Sequence, residues 1–331
     1  MVQGKEHNRL DVLWNNLATI YPSPMTVTIA YLGPEGTYSQ LAALAYSLEL
    51  ERRTSQSVVL QDFPSIPQAL EATTDGITTL TLVPVENSTE GSVRTTLDTL
   101  WALGTLRIHH ALVMPIRHAC LSQAQSLSDV QAIYSHPQAL SQCQHWLAHH
   151  LPQAKLAATN STTEALSHLS DSTTIAAIAS EWAGQLYNLP VLAHDINDHQ
   201  DNCTKFWVLR REDTAQLADQ GHYTSLAFSL PVNAPGCLLK PLQIFAHYGI
   251  NLSRIESRPS KRSLGDYLFF VDLEIDAVSD RGQQALAELL PCTETLINFG
   301  SYDLMAVNHT LETAKQKYMD LQSHGITPKL L

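Results

Sequence analysis

No two of the five cysteines stand in a C-x-x-C spacing, and Cys120, Cys143, Cys203, Cys237 and Cys292 are odd in number and scattered along the 331 residues. That pattern argues against a disulfide framework and a cysteine-based zinc site, and a reducing, cytoplasmic setting is the expectation. Cations are scarce too: 20 Lys and Arg stand against 32 Asp and Glu, a formal net charge of −12, with no basic run longer than a pair. Nucleic acid and anionic membranes are therefore not expected partners. No apolar stretch reaches the roughly 18 residues of a membrane span. Residues 1–26 carry charges and amides where a secretion signal needs an unbroken apolar run. Neither G-x-x-x-x-G-K-[ST] nor G-x-G-x-x-G occurs, so a nucleotide is not expected, and no G-x-S-x-G elbow supports a nucleophilic serine. His145 and His149 have helical spacing, but Leu140, Cys143, Trp146 and Leu147 mark the apolar side of that helix. With no carboxylate at ligand spacing, no metal is expected.

What is present is apolar material in short, punctuated pieces: 44% of residues are hydrophobic and 16% charged, enough for real cores. At roughly 150 residues per domain the length suggests about two domains. Residues 1–26 read as an extension with one amphipathic stretch, Leu10, Leu13, Trp14 and Leu17, ending before Pro22. From Val27 strands alternate with helical segments as in a parallel α/β domain: TVTIAYLG then SQLAALAYSLEL, ITTLTLVPVEN then GSVRTTLDTLWAL. RIHHALVMPIRHACL begins a different block, and AIYSHPQAL and TTIAAIAS are two more strands opening helices. The polar run at 213–222 is the expected linker. Residues 223–303 read strand–helix–strand–strand–helix–strand, a ferredoxin-like order, and 304–331 as a solvated helical tail.

Four strand-to-helix loops, GPEGTYS, PVENSTEGS, SHPQAL and NSTTEAL, place small hydroxyl or amide residues at helix N-termini, which are natural anion sites. Each alone is explained by capping, as Ser161 with Glu164 in an S-x-x-E box. Together they point to a polar cleft for a small carboxylated molecule, at the carboxyl ends of strands where open α/β sheets bind ligands. The loop DHQDNCTKF, just before the apolar run FWVL, adds Asn202, Thr204 and the cation Lys205.

These segments resemble one family. YLGPEGTYSQLAA, VPVENSTEGSV with RTTLDTL, SHPQALSQC, STTEA, AAIAS and DNCTKF occur in the order and approximate spacing of prephenate dehydratases. APGCLLKPLQIFAHYGINLSRIESRP resembles the ACT regulatory domain those enzymes carry, and the likeness runs over residues 27–302. It implies a carbon–oxygen lyase of phenylalanine biosynthesis that turns prephenate into phenylpyruvate, water and carbon dioxide. The implied catalytic unit, 27–212, has two lobes like a periplasmic binding protein, lobe one 27–105 with 190–212 and lobe two 106–189. Because the substrate ring becomes aromatic as its groups leave, the driving force is intrinsic and no cofactor is implied. Hydrogen-bond donors suit the departing hydroxide and the substrate carboxylates better than strong bases do.

By resemblance, Thr204 occupies the threonine of the family's Thr-Arg-Phe motif, with Lys205, Glu86, Asn87 and Ser88 beside it. Gly36, Thr37, His136, Gln138, Ser161, Thr162, Asn202 and Phe206 would complete the substrate wall. Glu86 could equally be structural, since a carboxylate facing a dianion repels it unless protonated or paired. Lys205 stands where the family has Arg, and loss of the bidentate fork leads to an expected rise in KM on the order of ten. In the ACT part the resemblance implies a phenylalanine pocket at a subunit interface. Asn233, Pro235, Gly236, Cys237 and Leu238 would face Glu256, Ser257, Arg258 and Pro259. Feedback inhibition by L-phenylalanine and a homodimer or homotetramer follow. Two other readings stay open: an arogenate dehydratase, whose substrate ammonium would suit Glu86, Asp198 or Asp201, and a noncatalytic aromatic-amino-acid sensor, suggested by Lys205.

Overall fold

Strands Val27–Leu32 (β1) and Val58–Phe63 (β2) pair in parallel, which requires a crossover; the helix Tyr38–Thr54 (α1) supplies it. Thr37 starts that helix, its hydroxyl accepting from the Gln40 amide. A second crossover, Ile66–Thr74 (α2), leads to Leu80–Asn87 (β3) on the other side of β1. The short strand Gly91–Ser92 (β4) folds back on β3, and Arg94–Leu103 (α3) leads to Leu106–Pro115 (β5). The computed structural model describes residues 26–169, 172–212, 220–262 and 265–324, so the amphipathic stretch at 10–17 and most of the expected linker lie outside it.

The second lobe is a five-stranded sheet of order β10-β6-β9-β7-β8. It is built from His118–Ser122 (β6), Ala132–Ser135 (β7), Lys155–Ala158 (β8), Ile175–Ser180 (β9) and Val191–Ala193 (β10). Pro137–Ser141 (α4), Gln144–His150 (α5) and Glu181–Leu186 (α6) are its helices. The chain then returns as Cys203–Arg211 (β11), antiparallel to both β3 and β5. Here the expected lobe boundaries are corrected. The crossings fall at 116–117 and 194–202, not near Leu106 and Leu189, because β5 belongs to the first sheet. The reason lies in β11: Trp207, Val208 and Leu209 are fully buried, so this strand needs a neighbour on each side, and β5 is the second. Two sheets facing each other across two crossings make the two-lobed arrangement of a periplasmic binding protein.

The ACT unit follows as Tyr223–Ser229 (β12), Leu239–His247 (α7), Leu252–Pro259 (β13), Tyr267–Leu273 (β14), Asp280–Leu289 (α8) and Thr295–Tyr302 (β15). Its sheet order is β13-β14-β12-β15. One face of the sheet packs Leu226, Phe228 and Val271 against Ile244, Phe245 and Leu289 of its own helices. The other face packs Leu268, Phe270, Phe299 and Tyr302 against Leu97, Ile108 and Trp207 of the catalytic unit.

The expected solvated tail is also corrected. Leu304–Ala306 (β16) pairs in parallel with β5 at the edge of the catalytic sheet, and Asn308–Ser323 (α9) lies along α1. Its Leu311, Ala314 and Tyr318 form a helical stripe buried in the core that also holds Leu41, Ala45 and Trp182. The ACT unit is thus inserted between two segments of one catalytic sheet.

Candidate active site

The strand ends of the two lobes border a cavity of about 840 Å³. Lobe one contributes Thr37, Tyr38, Ser39, Asp62, Asn87, Thr204 and Phe206; lobe two contributes His118, His136, Gln138, Gln142, Asn160, Ser161, Thr162 and Glu164. Alternation on β11 sends Thr204 and Phe206 to the cleft. A bulge opposite, where Lys205 pairs with Glu86 but Phe206 pairs with Pro84, brings both Asn87 and Pro84 to the same side.

Thr204 is nearly buried, and its Oγ1 accepts from Asn87 Nδ2 at 3.0 Å. That same amide nitrogen donates to Asn202 Oδ1 at 2.8 Å, while Asn87 Oδ1 accepts from the Thr89 and Glu90 amides. Asn202 in turn donates to Gln142 Oε1 at 3.0 Å, which His118 Nε2 meets at 2.9 Å, and His118 Nδ1 lies 3.0 Å from the Tyr38 hydroxyl. Burial lowers the His118 pKa to about 4, outweighing the bond to Gln142, so the imidazole is neutral at pH 7 with its Nε2 hydrogen on Gln142. Every member of the chain from Tyr38 to Thr204 is uncharged. One of the two lone pairs of the Thr204 oxygen is engaged by Asn87, and its rotatable O–H can donate to a ligand in the cleft.

Around this chain stand three helix starts. Thr37 caps α1, His136 Nδ1 accepts from the Gln138 amide at the start of α4, and Ser161 Oγ accepts from Glu164 N at 2.9 Å. The Glu164 carboxylate reaches Asn160 N at 2.8 Å rather than the Ser161 amide that the capping box predicts. Among the described residues no lysine or arginine lines the cavity, whereas the carboxylates of Asp62 and Glu164 do.

Five residues expected at the site lie off the cavity wall. Lys205, one step from Thr204, points through the sheet to the ACT unit, where Nζ sits 2.9 Å from Asp272 Oδ2. Arg254 binds the same carboxylate with Nε at 3.0 Å and Nη2 at 3.1 Å, and Ser225 Oγ donates to it at 2.5 Å. The weaker substrate grip expected from Lys205 therefore has no contact behind it. Glu86, cross-strand from Lys205, shares that face, and its charge acts on Arg254. Ser88 braces the return loop, its Oγ accepting from Cys203 N at 3.0 Å, and Asn202 stands one bond behind the wall. Gly36 turns the corner behind Thr37 with φ +84. Asp198, weighed as an ammonium partner, instead accepts from the His145 and Trp146 amides. Tyr38, His118 and Gln142 join the site without having been expected there, although Gln142 lies inside SHPQALSQC one helical turn after Gln138.

The model of the prephenate dehydratase family matches residues 29–214, and that of the ACT domain matches 224–291. The chain belongs to the prephenate dehydratase family. Its relatives include the prephenate dehydratase of Lactococcus lactis subsp. cremoris (strain MG1363), 34% identical over 286 residues that cover 84% of this chain and 98% of that one. The solved prephenate dehydratase from Arthrobacter aurescens, in complex with L-Phe, is 33% identical with a TM-score of 0.73, covering 90% of this chain and 99% of that one. GqqA, described as a novel type of quorum quenching acylase, is 26% identical with a TM-score of 0.69, covering 84% and 98%.

In this family member the residues expected at the phenylalanine pocket divide. Asn233 and Cys237 line a cavity of about 280 Å³ where β12 ends and β14 begins, and Asn233 Nδ2 donates to Gly265 O at 2.6 Å. Pro235 and Gly236 form the exposed turn before α7, and Leu238 packs on the ACT core. On β13, Ser257 and Pro259 face outward, while Glu256 and Arg258 turn toward the catalytic unit. Arg258 grips Asp98 of α3 with Nε at 3.0 Å and Nη2 at 2.8 Å. Strand alternation forbids all four from facing one ligand.

Proposed function

We propose that the chain is a prephenate dehydratase: it removes carbon dioxide and water from prephenate to leave phenylpyruvate, and phenylalanine bound to the ACT unit feeds back on it. The observation that carries the chemistry is the Thr204 hydroxyl, bonded by Asn87 on the wall of the cleft and joined to an uncharged hydrogen-bond chain that runs to Tyr38. As the ring carboxylate breaks away, its bonding pair enters the ring, which becomes aromatic and expels hydroxide; solvent supplies the proton that makes it water. Thr204 stabilises the developing negative oxygen by hydrogen bonding, and helix starts at Thr37, His136 and Ser161 receive the carboxylates. The test is phenylpyruvate formation by the full chain, with and without phenylalanine. Thr204→Val removes the hydroxyl at nearly constant shape and lowers kcat by about 10²–10³-fold; near-wild-type turnover would remove this role.

One observation favours a second reading. With Asp62 and Glu164 on the wall and no described lysine or arginine there, the amino counterpart, arogenate, would meet a carboxylate with its ammonium. Kinetics on both substrates decide between them. An acylase reading has no such support: among the described residues no serine, threonine or cysteine lining the cleft is hydrogen-bonded to a histidine or carboxylate. An ACT-paired homodimer or homotetramer fits Ile255 at 47% and Tyr267 at 45% exposure on the β13–β14 side; sedimentation as a monomer would refute it.

A further inference from the structure

We propose that Tyr318, on the C-terminal helix beyond the ACT unit, is a positioning residue of the active site, acting through Gln40 on the Gly36–Thr37 corner. The proposal rests on reading the cleft as the site of prephenate turnover. Gln40 is 1% exposed, on the first turn of α1. Its Oε1 accepts from Gly36 N at 2.7 Å and from Trp182 Nε1 at 3.1 Å, one donor from each lobe. An amide that spends its oxygen on two donors must find acceptors for its NH2 group. The Tyr318 hydroxyl, 3.2 Å from Nε2, is one. Turned over, the amide would set its own hydrogens against those of Gly36 and Trp182, so the acceptor side fixes the orientation that holds the corner.

Tyr318 is itself 1% exposed, with its ring edge-on to Trp182 at 5.3 Å between centroids. It therefore reaches the corner through Gln40, which holds the Gly36 amide. Ser180 Oγ fixes the Gly36 carbonyl from lobe two at 3.2 Å. The corner sets the start of α1, whose Thr37, Tyr38 and Ser39 line the cleft, where an anion gains most from the helix dipole. The family models end at residue 291, so this brace comes from a segment outside both matched regions. Because α9 follows β15 and β16 directly, the brace is tied to the ACT sheet on one side and to both catalytic lobes on the other.

Tyr318→Phe in the full chain keeps the ring on Trp182 and deletes only the hydroxyl. Expected are a rise in prephenate KM of about tenfold with kcat within about twofold, the loss of one buried hydrogen bond, and faster hydrogen exchange at the Gly36 amide with the rest of α1 unchanged. A purely structural role would lower Tm but leave KM and Gly36 exchange in place. Unchanged exchange at Gly36 overturns the proposal whatever the turnover, and so does faster exchange with unchanged KM. A wild-type chain that does not turn over prephenate would strike the functional reading instead, and the exchange comparison still decides the brace.

Discussion

Thr204 and Lys205 are neighbours in sequence and stand on opposite faces of one sheet, the first against the cleft and the second against Asp272 of the ACT unit. Burial alone would raise the Asp272 pKa, but Arg254 and Lys205 outweigh it and bring it to about 2. A folded pKa below the ordinary 3.8 means stability that is full above about pH 4 and is lost as pH falls toward 2. The two cations are not equivalent to the anion between them. Lys205→Met leaves Asp272 with two bonds to Arg254 and one to Ser225, whereas Asp272→Leu leaves two buried cations facing each other. Asp272→Leu is therefore expected to cost about 3–5 kcal/mol of stability and Lys205→Met clearly less, by urea denaturation, with KM for prephenate within about threefold in Lys205→Met. The reverse order of stabilities, or a tenfold KM rise from Lys205→Met, would contradict this assignment. The residue types in DNCTKF were legible in the sequence, but the face each occupies depends on the β3 bulge and on the partner strand, and neither leaves a local mark.

Elements show the same division. The ferredoxin-like order of 223–303 and the cap at Ser161 were legible because period and capping are written within a few residues. The sheet to which β5 belongs, and the burial of α9, were not, because both depend on pairing with segments far away in sequence: β5 with β11 and α9 with α1. In α9 the exposed Glu312 and other charges dilute a stripe of only three buried apolar residues, Leu311, Ala314 and Tyr318. Contact with the turn just before it also reverses a helix-propensity rule in α8. Gly282 sits on its first turn, donating to the Ser279 cap at 3.1 Å, and helix propensity alone would favour alanine there by about 1 kcal/mol. A Cβ at this position would lie 2.3 Å from Asp276 O and 2.9 Å from Ala277 Cα, both backbone. Gly282→Ala is thus expected to destabilise by about 1–3 kcal/mol, and a raised Tm would show that the turn before α8 yields.

At the scale of the whole molecule, a chain of net charge −12 acts on a substrate that carries two carboxylates. A basic cleft would offset that repulsion, yet among the described residues no lysine or arginine lines the cavity, Lys205 being committed to Asp272, and Asp62 and Glu164 add negative charge at the wall. Neutral donors and helix starts act only over a few ångströms, so they hold the substrate once it has arrived and do nothing to draw it in. Repulsion from the surface reaches about 30 Å at 0.01 M ionic strength and about 8 Å at 0.15 M. Raising salt over that range therefore weakens the repulsion and leaves the contacts inside the cleft nearly intact. The expected result is a severalfold rise in kcat/KM for prephenate, carried by KM, and the same with sodium or potassium chloride. A fall in kcat/KM with salt would mean that a cation attracts the substrate after all, with Lys205 drawn away from Asp272 as the first to test.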